Sequence, residues 1–411
     1  MSEILFLAHR IPFPPDRGDK IRSYHILRHL AREAPVHVAT FADDVMDGAA
    51  EDDLRHLAAS YCLVSRTKPL PIAGIEAIAT RRPISFTAFR SRRMRRYVED
   101  LLARRPTSLI YVFSGQMGQY VPTHYSGRVV ADFVDVDSAK FEAYALRDGG
   151  PKGWAEKREA TLLRVEEARL ARRAETSLLI SEEEAALFRS RLPQEGREQV
   201  QVRKLANGID STAFDRRCVA QEPQMQSMAF PRLVFTGQMD YAPNVDACLR
   251  AAERILPLVR REFPQATFHV VGRSPVDRLR ALSGRNGVHV WGRVPDVRPW
   301  LAAADLALVP LEIGRGVQNK VLEAMAMALP VVLTPEAATG IGGVDGRDFM
   351  LAATDEQLAE ACTALLRNPV QASAIAEAAR AYVVAHASWE AALGTLSELT
   401  QVARPKVRHA A

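Results

Sequence analysis

The segment Gly314–Val332, GRGVQNKVLEAMAMALPVV, carries the side chains best suited to chemistry. Two glycines bracket Arg315, a helix-forming run follows, and Pro330 stops it before the apolar Val331, Val332 and Leu333. Helical spacing puts Lys320 and Glu323, three apart, on one face with Gly316 one turn upstream. Val321, Leu322 and Met325 fall on other faces and can pack into a core. A helix N-terminus has unsatisfied N–H groups and a partial positive charge, so the Gly316–Val317 backbone and the Lys320 ammonium suit a phosphate. A carboxylate one turn further along can accept both hydroxyls of a ribose, as the acidic residue of dinucleotide folds does. Diphosphate plus ribose describes a nucleotide-linked ligand. The same spacing fits a surface loop before an ordinary buried helix, because glycine-rich loops often precede helices.

A second group lies near the N-terminus. His9 and Arg10 follow the strand-like run Ile4–Ala8, and Arg17-Gly18-Asp19-Lys20 precedes the first helical run. Gly18 has no side chain to obstruct a ligand approaching that helix end. His9 is either a ligand-facing group or a hydrogen-bonded strand-end residue. A third group, Asp132-Phe133-Val134-Asp135-Val136-Asp137-Ser138, closes another strand-like run. Its carboxylates can orient or deprotonate a hydroxyl, or satisfy the amides of their own turn. His25 and His29 stand four apart but have no third ligand, so no zinc site is read there. GRGVQNK lacks the glycine that stands beside the lysine of a Walker loop.

Alternating strands and helices must position these groups. Ile4–Ala8 and Val36–Phe41 flank a helix near Ile21–Arg32, and Leu109–Phe113, Val129–Val134, Leu178–Ser181 and Gln201–Leu205 add strands. Trp154–Thr176 reads as a long helix laced with Glu and Arg, solvated or bridging by composition. Ser211–Pro231 loses its periodicity and collects Gln, Pro and Met, as an interdomain linker does. Leu233–Thr236, Thr267–Gly272, Val288–Trp291, Leu306–Pro310 and Val331–Leu333 then make a second alternating half. Two such halves imply two doubly wound parallel sheets, whose ligands sit at the carboxyl ends of strands.

Composition agrees with this plan. The 411 residues exceed one core, and 47% hydrophobic with 25% charged residues is a soluble globular balance. Cys62, Cys218, Cys248 and Cys362 lie far apart without a CxxC pair, which points to reduced thiols in the cytoplasm. A strand begins almost at once, so no signal peptide is expected, and no apolar run approaches bilayer-spanning length.

The net charge of +5 is concentrated locally. Arg81, Arg82, Arg90, Arg92, Arg93, Arg95, Arg96, Arg104 and Arg105 interleave with Phe86, Phe89, Met94 and Tyr97. The patch fits an anionic membrane surface, an anionic substrate or a solvated helical face. Nucleic acid ranks below these, since no recognised binding motif accompanies the charge.

Gly314–Val332 resembles the nucleotide-sugar motif of the family four retaining glycosyltransferases, in which a glycine loop leads into an LEAMA helix. The resemblance runs in order along nearly the whole chain. Ile180-Ser181-Glu182, Asn207-Gly208-Ile209-Asp210 with Phe214, Phe235-Thr236-Gly237, Val271-Gly272-Arg273, Pro295-Asp296-Val297 and Ala304-Asp305 all match family elements. Within NGID, glycine is expected to supply an unusual backbone angle, and Asn207 and Asp210 to bond their own turn.

Two departures stand out. The family pairs two glutamates eight apart; the second is Glu323, which the resemblance assigns to the donor ribose, and the first falls on Arg315. An arginine there suits a phosphate better than a sugar. After Gly237 the family often places Arg and then Lys against the diphosphate, whereas this chain has Gln238 and Asn244 in GQMDYAPN. The positive charge must come from Arg273, Arg293, Arg315 and Lys320. With the N-terminal HRIPFPPDRGDKIRSYH, the combination is similar to a subgroup tied to exopolysaccharide assembly in bacteria with exosortase-type sorting systems.

The resemblance implies an α/β GT-B fold, two doubly wound Rossmann-like domains facing a central cleft. An acceptor-binding domain is expected over 1–210, a linker over 211–231 and a donor domain over 232–385, with a helix and basic tail over 386–411 crossing back. It implies retaining transfer from a nucleotide-diphosphate sugar to a hydroxyl acceptor, lipid-linked or polysaccharide, with no metal or cofactor and no nucleic acid. Gly18, Gly237, Gln238, Asn244, Arg273, Arg293, Arg315, Gly316, Val317, Lys320 and Glu323 are the donor-site candidates. His9, Asp135 and Asp137 are those for acceptor chemistry. Asp135-Val136-Asp137 has the form of the metal-binding DxD of the other large glycosyltransferase fold, but a two-sheet architecture holds its diphosphate with helix ends and basic side chains. The alternatives are a nucleotide-sugar 2-epimerase, a non-catalytic transferase partner and a basic nucleic-acid-binding protein.

Overall fold

Short runs of Val, Ile, Leu and Phe supply the strands of two separate parallel sheets. In a computed structural model that describes residues 2–43, 45–314 and 316–400, the first sheet comprises β1 (Glu3–Ala8), β2 (Val36–Ala42), β3 (Ser60–Ser65), β4 (Thr107–Phe113), β5 (Arg128–Val134), β6 (Thr176–Leu179) and β7 (Val202–Lys204). Their order is β3-β2-β1-β4-β5-β6-β7, and each neighbouring pair is parallel. β1, β2 and β4 are buried almost throughout, as expected of strands covered on both faces.

The second sheet comprises β8 (Arg232–Thr236), β9 (Thr267–Val271), β10 (Val288–Gly292), β11 (Leu306–Val309), β12 (Val331–Leu333) and β13 (Met350–Leu351), in the order β10-β9-β8-β11-β12-β13. Both sheets grow outward from the first strand in one direction and reverse at the fourth. Crevices outside the carboxyl ends of β1/β4 and β8/β11 are therefore the switch points where such sheets take ligands. The chain divides into two units, one running to Asn207 and taking back the segment from Leu393, the other covering Gly208–Ala392. In the first, His29 Nε2 lies 2.9 Å from Ser397 Oγ, and Leu396 is buried. The basic tail beyond residue 400 lies outside the described residues.

Several sequence expectations need correction. The Trp154–Thr176 helix spans Gly150–Arg173 and is not simply solvated, because Ala160, Leu163, Ala168, Leu170 and Ala171 turn one face into the core. Two of its acids are buried as well: Glu159 accepts from the N–H groups of Ile84 and Ser85, and Glu167 from the N–H and Oγ of Ser138. β6 ends before the expected Ser181, whose side chain instead caps the next helix by accepting from Glu184 N–H. Residues 211–231 sit in the second unit, with Met225 fully buried. Gly208 is needed for close approach, since a Cβ there would lie 2.4 Å from the Trp389 nitrogen. Asp210 does bond its own turn, accepting from Ala213 N–H at 2.9 Å, but Asn207 points elsewhere.

Asn207 Oδ1 accepts from Arg22 at 2.8 Å. Arg22 is buried in the Gly18–Glu33 helix, on the face that also buries Ile26 and Leu30. It donates from Nε and Nη2 to the two carboxylate oxygens of Asp132, at 3.0 and 3.1 Å, and Tyr111 Oη donates to Asp132 at 2.9 Å. One buried ion pair thus ties the first helix to β4, β5 and the exit of the first unit. Removing one partner leaves an uncompensated buried charge. Asp132→Asn should lower stability by roughly 3–5 kcal/mol in denaturant unfolding, and a loss below about 1 kcal/mol would show that Arg22 is satisfied without it.

Candidate active site

The turns that end β8, β9 and β10 lock together. Gly237 N–H donates to Val271 O at 3.1 Å, Met239 N–H to Arg273 O at 2.8 Å, and Gly272 N–H to Gly292 O at 2.9 Å. A Cβ on Gly272 would lie 1.6 Å from the Gly237 carbonyl oxygen, so no other residue fits. A Cβ on Gly237 would come within 2.9 Å of Asn244 Nδ2 and 3.5 Å of Lys320 Cε. The bare backbone lets two polar side chains settle against the turn.

Asn244 enters from the first turn of the Ala242–Arg250 helix. Its Nδ2 donates to Gln238 O at 2.9 Å, and its Oδ1 accepts from Lys320 Nζ at 2.5 Å. The same ammonium lies 4.8 Å from the centroid of the Phe235 ring, within cation–π range. Burial draws the Lys320 pKa down to about 8, with Cys248 and Glu323 opposing. Lys320 stands in the Asn319–Ala326 helix, which is anchored by buried Val321, Leu322, Ala324, Met325 and Ala326. Glu323 follows one turn later. Burial raises its pKa to about 7 against the pull of Lys320, and its carboxylate has no hydrogen-bond or ion-pair partner among the described residues.

Arg273 is exposed and donates from Nη2 to Gln238 Oε1 at 2.9 Å. Gly237, Gln238, Asn244, Arg273 and Lys320 are therefore brought into one contact set. Arg293 is exposed just beyond β10, apart from this set. In the loop before the helix, Gly316 adopts a left-handed φ of 64° and Val317 is exposed against Gly340. Gly314 is pressed to the Glu336 carbonyl, where a Cβ would lie 1.8 Å away. Arg315 lies outside the described residues. The contact of Phe235 with this ammonium has only one signal in the sequence, an aromatic residue two before a strand-end glycine.

In the first unit, His9 follows β1 and stacks on Phe113 of β4, with centroids 5.8 Å apart, at the switch point. His9 Nε2 lies 3.4 Å from Asp19, while its buried Nδ1 has no partner among the described residues. Asp19 also accepts from Arg10 at 2.7 Å and Arg17 at 2.8 Å. Burial works to raise the Asp19 pKa, but hydrogen bonds from His9, Arg17 and Arg10 outweigh it and hold the carboxyl well below its usual range. Gly18 opens its helix with free space around the position of a Cβ.

Asp135 is exposed, and Asp137, half-buried, is the first residue of the Asp137–Asp148 helix. Burial raises the Asp137 pKa and the Asp135 charge adds to it, with Lys140 and His9 opposing. Ser114 and Val134, just after β4 and at the end of β5, hold left-handed φ values of 76° and 69°. Neither is glycine, and Val134 is β-branched, so the backbone here is strained.

Two all-parallel sheets with this strand order give the chain a GT-B fold of two Rossmann-like domains. Residues 230–368, within the second unit, match the family model described as Glycosyl transferases group 1. No curated protein matches the chain by sequence. Among solved structures it is similar to HepE of Anabaena in complex with UDP and glucose, at 16% identity and a TM-score of 0.59 over 98% of this chain and 100% of that one. Sucrose-phosphate synthase from Thermosynechococcus elongatus gives 16% and 0.58 over 98% of each chain. WaaG, a glycosyltransferase involved in lipopolysaccharide biosynthesis, gives 19% and 0.53 over 97% of this chain and 99% of that one. At these identities the likeness is one of fold.

The buried Glu323 carboxyl has a consequence for stability. Unfolded, it ionises near 4.5; folded, it keeps its proton to about 7. The folded state binds more protons in that window, so stability falls as pH rises through it. Glu323→Gln removes the ionisation and should stabilise the protein by roughly 2–3 kcal/mol above pH 7 and by almost nothing near pH 4. Equal denaturation midpoints for the two proteins at pH 8 would show that the carboxylate is well solvated.

Proposed function

We propose that the protein is a retaining glycosyltransferase that moves a sugar from a nucleotide-diphosphate donor to a hydroxyl acceptor. The observation that carries this reading is the half-buried ammonium of Lys320, held at the β8 turn by Asn244 and Phe235, with the unpartnered Glu323 one turn along. An anion would meet a half-buried cation, and a ribose would meet a carboxylate with no hydrogen-bond partner among the described residues. The group 1 domain and the fold favour the same reading. Because HepE holds UDP and glucose, UDP-glucose is the first donor to test.

As the bond between the sugar's anomeric carbon and the diphosphate oxygen stretches, negative charge grows on the diphosphate. Lys320, Arg273 and the N–H groups at the start of the Asn319–Ala326 helix would oppose it, and fixed donors are worth most against charge that develops in the transition state. Arg293, Arg315, Gly316 and Val317 complete the proposed donor site. The acceptor oxygen bonds to the anomeric carbon on the face the diphosphate leaves. Asp137, with its raised proton affinity, takes the hydroxyl proton, while His9 and Asp135 orient the hydroxyl. Neither a metal nor an organic cofactor enters this scheme.

We place the reaction in exopolysaccharide or cell-surface polysaccharide synthesis, in the exosortase-associated subgroup, with a lipid-linked or polysaccharide acceptor. The protein would work at the cytoplasmic face of the plasma membrane, with the Arg81–Arg105 cluster meeting its anionic surface. Among the described residues no helix is long and apolar enough to cross a membrane.

Glu323→Gln should weaken UDP binding at least tenfold in titration calorimetry, as loss of a charge-assisted hydrogen bond worth about 1.5–3 kcal/mol requires. Affinity within twofold of the parent would take Glu323 out of the site. Binding by the parent should be strongest between about pH 7 and 8, because Glu323 is protonated below this window and Lys320 loses its proton above it. A flat profile from pH 6 to 9 would contradict the pairing of these roles. Turnover should persist in EDTA. If magnesium or manganese were needed to restore it, Asp135 and Asp137 would have to be reconsidered as metal ligands.

A further inference from the structure

The Leu70–Thr80 helix is packed inside out. Surface helices normally turn large aliphatic side chains inward and polar ones to water. Here Ala73 and Ala77, four apart, form the fully buried face, whereas Leu70, Ile72, Ile75 and Ile78 are 64%, 54%, 71% and 62% exposed. The helix is fixed in this orientation. Thr87 Oγ1 donates to Ala73 O at 2.8 Å, and Arg158 Nη2 to Ala77 O at 2.7 Å.

Cations surround the exposed stripe. Glu76, the one acid of this helix, accepts from Lys68 at 2.8 Å and from Arg90 at 2.9 Å, so its charge is more than compensated. Arg81 caps the C-terminal end with a left-handed φ of 52°, Arg82 follows it, and both are exposed. Leu70, at the other end, also lines a cavity of about 380 Å³ whose apolar wall includes Ile84, Ala88, Phe89 and Phe141. The Phe89 ring meets His9 edge-on at 5.9 Å. Apolar surface therefore runs from the exposed stripe into the unit, towards His9.

We infer that this helix is an interfacial anchor for an anionic lipid bilayer. Leu70, Ile72, Ile75 and Ile78 enter the boundary between headgroups and acyl chains, and Arg81 and Arg82 meet the lipid phosphates. An apolar stripe edged with Lys and Arg is the pattern of helices that lie in that boundary, and the positive edge selects anionic lipid over a neutral surface or an acid-poor protein partner. The inference deepens the membrane reading proposed above by moving the main anchor from the arginines of the Arg92–Arg104 helix to these aliphatic side chains. It rests on the transferase reading only for its purpose.

The test is co-sedimentation of the full-length protein with phosphatidylglycerol–phosphatidylcholine vesicles. The parent should bind these and partition at least tenfold less to pure phosphatidylcholine. The triple variant Ile72→Ser, Ile75→Ser, Ile78→Ser, at exposed positions, should lose at least tenfold in partitioning with an unchanged melting temperature. Arg92, Arg93, Arg95 and Arg96 changed together to Gln should lose less at physiological salt. Triple-variant binding within twofold of the parent would overturn the proposal. So would a parent that self-associates in sedimentation velocity through these isoleucines, with vesicle binding unaffected by the triple change. UDP affinity in the same proteins reads the donor site separately: its absence from parent and variant alike would count against the transferase reading and leave the anchor standing.

Discussion

A cation held partly out of water governs the second unit. Among the described residues the Lys320 ammonium has one strong acceptor, Asn244 Oδ1, and the face of Phe235. That is too little to replace its hydration, which is why burial lowers its proton affinity. The surrounding geometry exists to hold it there. β8 delivers Phe235, Gly237 leaves room for Asn244 and the lysine stem, and Gly272 lets the β8 and β9 turns touch. Coulomb attraction grows as the local dielectric falls, so an anion reaching this charge gains more than it would at an exposed lysine. This chain has Gln238 and Asn244 where its resemblance places an arginine and a lysine after Gly237, and one shielded ammonium stands against the same strand end.

The first unit solves the opposite problem. Around the end of β1, Asp19 and Asp43 are shared among Arg10, Arg17 and Arg66, and Arg66 also covers the Phe89 ring. The charges there largely cancel, and His9 is fixed between Phe113 and Asp19 with its Nδ1 left open. Deeper in, Arg22 and Asp132 hold the helix after β1 against β4 and β5. This pairing makes Asp132, first in the run of three aspartates, structural, whereas Asp135 is exposed and Asp137 half-buried.

Much of this plan could be read from sequence, because long apolar runs and glycine turns act locally. The central strands of both sheets, the two-sheet architecture and the Asn319–Ala326 helix follow from periodicity and punctuation. β3 and β13 did not. Ser60–Ser65 has polar ends and lies at a sheet edge, and Met350–Leu351 is two residues long, so neither gives a pattern of its own. The burial of Glu159, Glu167 and Arg22 was likewise hidden, since the partners that permit it lie between 29 and 185 residues away. The NGID pattern points to a backbone angle at Gly208, but its constraint comes from Trp389, a contact no local angle announces. Spacing alone paired Lys320 with Glu323, but only the fold shows that Asn244, not Glu323, holds the ammonium.

Unfavourable features of the two units gather at the carboxyl ends of strands. In the first, Ser114 and Val134 carry left-handed backbone angles after neighbouring strands, and Asp137 loses solvation nearby. In the second, Lys320 and Glu323 are both drawn towards their neutral forms by burial. None of these stabilises the fold, and each persists because the sheets around it are tightly packed: β1, β2, β8 and β9 are buried almost end to end. Strain and desolvation can be maintained only where the rest of the structure over-determines them. A doubly wound sheet has such a place at its switch point, where strand ends are rigid and the outward helices diverge. The sheet interiors thus supply stability, and Asp137, Lys320 and Glu323 at the strand ends are held in states they would not adopt alone.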